Sequence, residues 1–167
     1  MKNNPNSLYL RLVYWKNYHL AQINIAQGYA TIDDPVMADF VNALDRVNAL
    51  AEASDGFVWR LQTEDGNATS LHFFEDNRII VNMSLWTTLE ALKSYVYTAG
   101  HLDVLKQKKQ WFEKPTKAHL ALWWIPEGTL PTLEEAKHAL DRINNLGSTS
   151  RAFAFANPYP APTVSDS

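Results

Sequence analysis

The segment Ile79–Trp86, IIVNMSLW, constrains the fold more than any other part of this chain. Side chains of an extended segment alternate between two faces. Ile79, Val81, Met83 and Leu85 therefore share one face, and Ile80, Asn82 and Trp86 share the other. A strand that is apolar on both faces has to be covered on both. Two helical patterns follow, TTLEALKSYVYTAG and HLDVLKQKKQWFEK. Together they set Asn82, Trp86, His101, Lys108 and Trp111 within an apolar framework. A polar group in such surroundings needs a partner or a ligand, so a pocket is expected within residues 79–112.

The rest of the chain supplies the other layers. Residues 19–26 alternate as a strand, with Gln22 and Asn24 on one side and Ala21, Ile23 and Ile25 on the other. Asp34-Pro35 opens a helix, Asp34 as N-cap and Pro35 at the first position. Its buried stripe is Met37, Phe40, Val41, Leu44, Val47 and Ala51, and Asp55-Gly56 closes it. FVWRLQ (57–62) reads as a strand with Phe57, Trp59 and Leu61 on one face and Val58, Arg60 and Gln62 on the other. Asp65-Gly66 is a hairpin signal, Thr69 to Phe74 the return strand, and Asp76-Asn77 a further turn. Thr87 and Glu90 have capping-box spacing before a helix that buries Leu89, Leu92 and Val96. Gly100 breaks that helix, a second begins near His101, and Pro115 closes it. HLALWWI (119–125) is a strand ended by Pro126. Thr132 and Glu135 repeat the capping spacing before a helix that buries Leu133, Ala136, Leu140 and Ile143, and Gly147 ends it. Ala152 to Phe155 adds a short strand, and NPYPAP an extended tail.

This order, β-α-β-β-α-(α)-β-α, predicts an α+β protein: a ferredoxin-like split βαβ antiparallel sheet with helices on one face. One stack of helices leaves the second face of the Ile79–Trp86 strand open, and a second subunit would close it. A homodimer through the sheet face is therefore expected. Residues 1–17 read as an N-terminal extension, 18–160 as a single domain and 161–167 as a flexible tail.

Composition narrows the function. A chain of 167 residues suits one domain with a real core. A net charge of −3 argues against a nucleic-acid partner, and Lys106, Lys108 and Lys109 read as a solvated helix face. With no cysteine, a disulfide framework, an iron–sulfur cluster and a thiol nucleophile drop out. No apolar run approaches the roughly 20 residues that span a bilayer, so no membrane partner is expected. Leu8–Trp15 is apolar, but Arg11 interrupts it and no small-residue cleavage site follows. A cytoplasmic protein is the expectation, and the sequons at Asn67 and Asn82 then carry no meaning.

The candidate site residues each have a plain structural alternative. Asn82 offers two donors and an acceptor group to a substrate oxygen, or it bonds a neighbouring backbone group. Trp86 stacks on a flat substrate or fills the core. His101 opens its helix, where the positive end of the dipole favours the neutral imidazole. That form acts as a base or a ligand; the alternative is a capping or packing histidine. Lys108 neutralises an anion or snorkels to water. Arg60 is an anion clamp or an ion-paired strand residue. Trp59 and Trp111 are wall candidates, and Asn24 is a further polar group on a strand. His19, His72 and His119 receive no role, and a lone histidine gives no zinc-cluster spacing.

The segment IIVNMSLW…EAL…YVYTAGH…LKQKKQWFEKP, with HLAQINIA, FVWRLQ, HLALWWIPEG and FANPYPAP, resembles a bacterial family, domain of unknown function family 3291. The resemblance runs from about His19 to Tyr159. That family is similar to the dimeric α/β-barrel group, which implies dimerisation through the sheets. Two kinds of enzyme in the group bear on function. Antibiotic-biosynthesis-type monooxygenases work without a cofactor on electron-rich aromatic substrates, and several have an Asn and a Trp four residues apart on a pocket strand, as Asn82 and Trp86 are. YTAGHLDVLKQKKQWF also looks like a region of a haem-dependent carotenoid monooxygenase, which implies His101 as axial ligand. The resemblance thus implies a monooxygenase-like oxidoreductase acting on a small aromatic or polyene-type ligand between sheet and helices. Catalytic His101 and Asn82 would be assisted by Trp86, Trp111, Lys108, Trp59, Asn24 and Arg60, with no cofactor. The alternatives are a haem protein and a non-catalytic dimeric ligand-binding module.

Overall fold

The structure, a computed structural model, describes residues 17–62 and 74–163. The Asp65-Gly66 hairpin and residues 69–73 of the expected return strand lie outside the described residues, and Phe74 is in a bend. So do residues 1–16 of the expected extension and the last four residues of the tail.

Four strands form one antiparallel sheet: β1 (Tyr18–Gln27), β2 (Phe57–Arg60), β3 (Ile79–Trp86) and β4 (Leu120–Pro126), in the order β2-β3-β1-β4. This is the split βαβ order, with β1 between β3 and β4, and the α+β reading holds. Helix α1 (Ala38–Glu52) joins β1 to β2, and α2 (Leu89–Val96) and α3 (Ala99–Gln107) join β3 to β4. Helix α4 (Leu133–Leu146) follows β4.

The register fixes which residues share a face. Leu20 stands opposite Trp86 and Trp124, Gln22 opposite Ser84 and Leu122, and Asn24 opposite Asn82 and Leu120. Helices α1 and α2 cover this face at one end, where Leu20, Trp86, Leu122 and Phe153 pack with Ala51, Leu92 and Tyr95. At the other end Ile80 packs with Met37, Phe40, Leu44, Val104 and Trp111. The crossover helices thus lie on one face, as expected.

The opposite face differs from expectation. There Ala21, Ile23, Val81, Met83, Leu85, Ala121, Trp123 and Ile125 form a core with Ala136, Ala139 and Leu140 of α4. Helix α4 of the same chain buries the surface that had called for a second subunit. The argument from a doubly apolar strand to a sheet-to-sheet dimer therefore loses its premise. The alanines allow this, because small side chains let the helix axis approach the sheet.

Local signals were read with small errors. Asp34 caps as expected, accepting from the amide of Val36, and Pro35 opens a 3-10 turn, Pro35–Met37, ahead of α1. Thr132 caps α4 by accepting from the Glu135 amide. For α2 the cap is Thr88, accepting from the Ala91 amide at 3.0 Å, not Thr87. The break between α2 and α3 falls at Tyr97–Thr98, and Gly100 lies inside α3. Gly100 is a close-approach residue: a Cβ there would run into Leu50 of α1. The short strand at 152–155 is reduced to two isolated antiparallel bridges, Phe153 with Leu122 and Ala152 with Thr149. Among the described residues, no helix is long and apolar enough to cross a membrane.

Candidate functional site

Between the two apolar ends of the helix-covered face runs a polar strip. Its members are Gln22 and Asn24 on β1 and Asn82 and Ser84 on β3. Gln22 Nε2 donates to Asn82 Oδ1 at 2.6 Å and to Ser84 Oγ at 3.0 Å. Trp86 Nε1 donates to the same Ser84 Oγ at 2.8 Å. Gln22 and Ser84 are buried, while Asn82 is exposed. The strip therefore has a satisfied, sealed side around Ser84 and an accessible side at Asn82 and its cross-strand neighbour Asn24.

A bulge in β2 brings Arg60 to this strip. Regular alternation would put Phe57 and Trp59 on one face, as the sequence suggests. Instead Phe57 pairs with Trp86, Trp59 with Leu85 and Arg60 with Ser84, with the register shifting between Phe57 and Trp59. The extra residue, Val58, sends Trp59 to the α4 side, where it packs with the second core. It sends Arg60 to the strip side, where its Nε donates to Glu52 of α1 at 2.7 Å.

On α1, Leu44 packs at one end of the strip, Ala51 at the other, and Glu52 bonds Arg60. Asn48, buried and one helical turn from both Leu44 and Glu52, belongs to the same stripe. It is a polar group above the strip that the sequence reading missed; the signal was an Asn midway along the apolar stripe of α1.

Trp86 is fully buried and belongs to a run of rings. Its centroid lies 5.5 Å from Phe57 in edge contact and 5.2 Å from Tyr95 in a stacked arrangement, and Tyr95 lies 4.9 Å from His101. Tyr95 thus stands between Trp86 and His101. Burial pushes its phenol up to about 12, so its hydroxyl stays protonated and donates to the Val47 carbonyl at 3.3 Å. His101 is half-buried, and burial lowers its pKa below the usual histidine value, against a smaller opposing effect of the Val96 carbonyl. That carbonyl lies 3.0 Å from Nδ1. A carbonyl only accepts, so Nδ1 carries the proton and the neutral ring keeps a lone pair on Nε2.

The structure therefore brings Asn82, Asn24, Arg60 and Trp86 to one face. It places His101 one ring further, behind Tyr95. Trp111 is buried at the far end of that face with Phe40 and Phe112, 5.6 Å and 6.4 Å away between centroids. Lys108 is exposed in the 3-10 turn Lys108–Gln110 after α3, and its charge helps to lower the pKa of His119 after the larger effect of desolvation. Trp59 lies behind the sheet, and the bulge is the reason. His72 is outside the described residues. Among the described residues, two open recesses lie away from the strip: one of ≈ 420 Å³ at Asn17, His19, Thr87 and Glu127, and one of ≈ 410 Å³ along α4 at His138 and Arg142. Among the described residues no group of three or more His, Asp or Glu side chains could hold a metal ion.

Fold and strip together define an α+β protein with a split βαβ sheet, helices on both faces and a polar strip beneath the crossover helices. The chain belongs to the family Domain of unknown function (DUF3291), whose family model matches residues 19–167. No curated protein matches it. Among solved structures it is similar to a cofactor-independent oxygenase from Streptomyces nogalater, at 17% identity and a TM-score of 0.44, over 68% of this chain and 98% of that one. It is also similar to a conserved protein from Methanosarcina mazei Go1, at 10% identity and a TM-score of 0.46, over 64% and 92%. A third is a protein from Mycobacterium tuberculosis, at 15% identity and a TM-score of 0.43, over 69% and 98%.

Proposed function

We propose that this protein is a small-molecule oxidoreductase of the cofactor-free monooxygenase kind, with an aromatic or polyene-type substrate lying over the polar strip. The observation that carries this reading is the exposed amide of Asn82. Its Oδ1 accepts from Gln22, which leaves the two Nδ2 hydrogens as the donors of an exposed residue. Such an amide donates to a substrate carbonyl, phenolate or peroxy oxygen. Asn24 stands across from it, and Tyr95, half-buried and stacked on the buried Trp86, offers the apolar face. In this reaction a base takes a proton from the substrate, the resulting carbanion or phenolate adds dioxygen to give a hydroperoxide at carbon, and loss of water with the second hydrogen of that carbon leaves a carbonyl, the substrate supplying all the electrons. The neutral Nε2 of His101 is the base, reached by a substrate that passes Tyr95.

Oxygen uptake in air-saturated buffer, with a panel of phenols and polycyclic ketones and no added cofactor, tests the proposal. Uptake should fall with Asn82→Ala, and His101→Ala should cost about 10²–10⁴-fold, the usual range of general-base catalysis. Binding of these compounds without oxygen uptake would mean a non-catalytic ligand-binding module.

A second reading rests on the same histidine. Nδ1 tethered to a backbone carbonyl, with a free lone pair on Nε2, is the arrangement that orients a metal-ligating imidazole. His101 would then hold haem iron, and the haem would supply the oxidising chemistry. Haemin titration separates the two: a Soret shift that disappears in His101→Ala supports haem, and an unchanged spectrum removes it.

A further inference from the structure

We infer that α3 (Ala99–Gln107) is a lid, which opens and closes along the polar strip while the rest of the fold stays in place. This holds whichever ligand the strip takes. Helix α3 runs the length of the strip. Its first turn carries His101, whose ring lies 4.9 Å from Tyr95, and Tyr95 stacks on Trp86 at one apolar end. Its last turn leads through Lys108–Gln110 into Trp111, which is buried at the other end. Besides desolvation, the charge of Lys108 lowers the pKa of His119, which precedes β4. The helix therefore ends toward the β4 side of the strip, where Asn24 pairs with Leu120.

The helix itself is loosely held. Helix α1 buries Phe40 and Ala51, α2 buries Leu92, and α4 buries Ala136, Ala139 and Leu140. From Gly100 to Gln107 no residue of α3 is buried, and its apolar Leu102, Val104 and Leu105 are all half-buried. Thr88 and Thr132 cap α2 and α4 through their hydroxyls. Thr98, which precedes α3, turns its hydroxyl back to the Tyr95 carbonyl at 2.8 Å and makes no cap bond. Gly100, inside the first turn, lowers the intrinsic stability of the helix. Its missing Cβ is what lets α3 rest on Leu50 of α1.

The flanks of α3 are firm by contrast. Before it, the Tyr95 hydroxyl ties α2 to the Val47 carbonyl of α1. After it, the Tyr29 amide donates to the Trp111 carbonyl and the Glu113 amide to the Gln27 carbonyl, both at 2.8 Å. His101 Nδ1, 3.0 Å from the Val96 carbonyl, pins the first turn. A segment with little buried apolar surface between two fixed points opens on its own, ahead of global unfolding. The joints are the break at Tyr97–Thr98 and the 3-10 turn Lys108–Gln110. Closure of such a segment shields a bound molecule from water, and its opening admits and releases that molecule.

Native-state hydrogen exchange in increasing low concentrations of urea, read by mass spectrometry, tests the inference on the unaltered protein. The amides of residues 102–107 should exchange about 100-fold faster than those in the middle of α1 and α4, because they need only the local opening. Their rates should stay level as urea rises, whereas those of α1 and α4 should climb, since global unfolding exposes far more surface. Protection of α3 equal to that of α1 and α4 would overturn the inference. Coverage of the strip is read from a thiol placed in a chain that has none. Asn24→Cys puts it on the strip, and its labelling by an aromatic disulfide reagent reports access. Adding Val104→Gly weakens the helix and removes an apolar contact, so labelling should quicken about tenfold while exchange in α4 stays the same. An unchanged labelling rate would make α3 a loose helix beside the strip and overturn its role as a lid. If either variant fails to fold, the exchange of the unaltered protein decides by itself.

Discussion

Ser84 links the strip to the aromatic wall. It is the shared acceptor of Gln22 and Trp86, so Ser84→Ala removes one hydroxyl and strands two buried donors. Each donor left unsatisfied costs about 1–3 kcal/mol. Urea denaturation of Ser84→Ala should therefore show a loss near the upper end of what a single small-residue change produces. Histidines give the pH dependence. His101 and the exposed His119 both have folded pKa values below the ordinary histidine value, mainly through desolvation. A depressed pKa means the unfolded chain binds protons first as pH falls. The stability they contribute is full above about pH 6.5 and is lost as pH drops through the folded values. Melting temperature should thus fall between pH 7 and pH 5, and the fall should be shallower in His101→Gln; an identical slope in that variant would exclude His101 as a cause. At this scale the sequence was partly readable. Asn82 stood out because strand alternation set an amide between isoleucine and tryptophan. Ser84 did not, because a serine on a strand gives no sign of its partners until the register of β1 is known.

Among the elements, the glycines separate two roles that look alike in sequence. Gly56 opens β2 at φ +82°, and a Cβ there would stand 2.5 Å from Ala91 Cβ and 2.6 Å from Thr87 Oγ1. Gly147 closes α4 at φ +71° with nothing within 4 Å of its would-be Cβ. Gly147→Ala should cost about 1 kcal/mol, the conformational cost alone. Gly56→Ala adds overpacking against α2 and should cost about 2–4 kcal/mol. Equal midpoints for the two variants in a denaturant titration would refute the contact argument. Gly100 shows why such residues mislead. Composition marks it as a helix breaker, yet it sits inside α3 because α1 comes too close for a side chain. That reason belongs to the packing of two helices and leaves no trace in either one. The caps were legible because they are local: Asp34 and Thr132 each accept from an amide two or three residues on, and Thr88 instead of Thr87 is an error of one position.

Across the whole molecule, the decisive fact is the placement of α4. Its apolar stripe was evident from Leu133, Ala136, Leu140 and Ile143, but a stripe says that a helix is buried and not against what. Two sheet faces were open to it, and only the three-dimensional course of the chain after β4 chooses. Because α4 covers the second face, the core should hold without a partner. The melting temperature should be unchanged across about a hundredfold range of protein concentration, whereas a core completed by association would melt higher as concentration rises. Ala139→Glu places a charge between α4 and the sheet and should cost at least about 3 kcal/mol.

The bulge in β2 bears on how sequences of this kind can be compared. Val58 is the residue without a cross-strand counterpart, so a chain lacking it would keep Phe57, Trp59 and Arg60 on the faces they occupy here. A gapless alignment of two such chains would match residues from opposite sides of the sheet and report a lost guanidinium where none was lost. The insertion or deletion at this point is silent in space and loud in sequence, and the reach of Arg60 is set by a count of residues as much as by their identity.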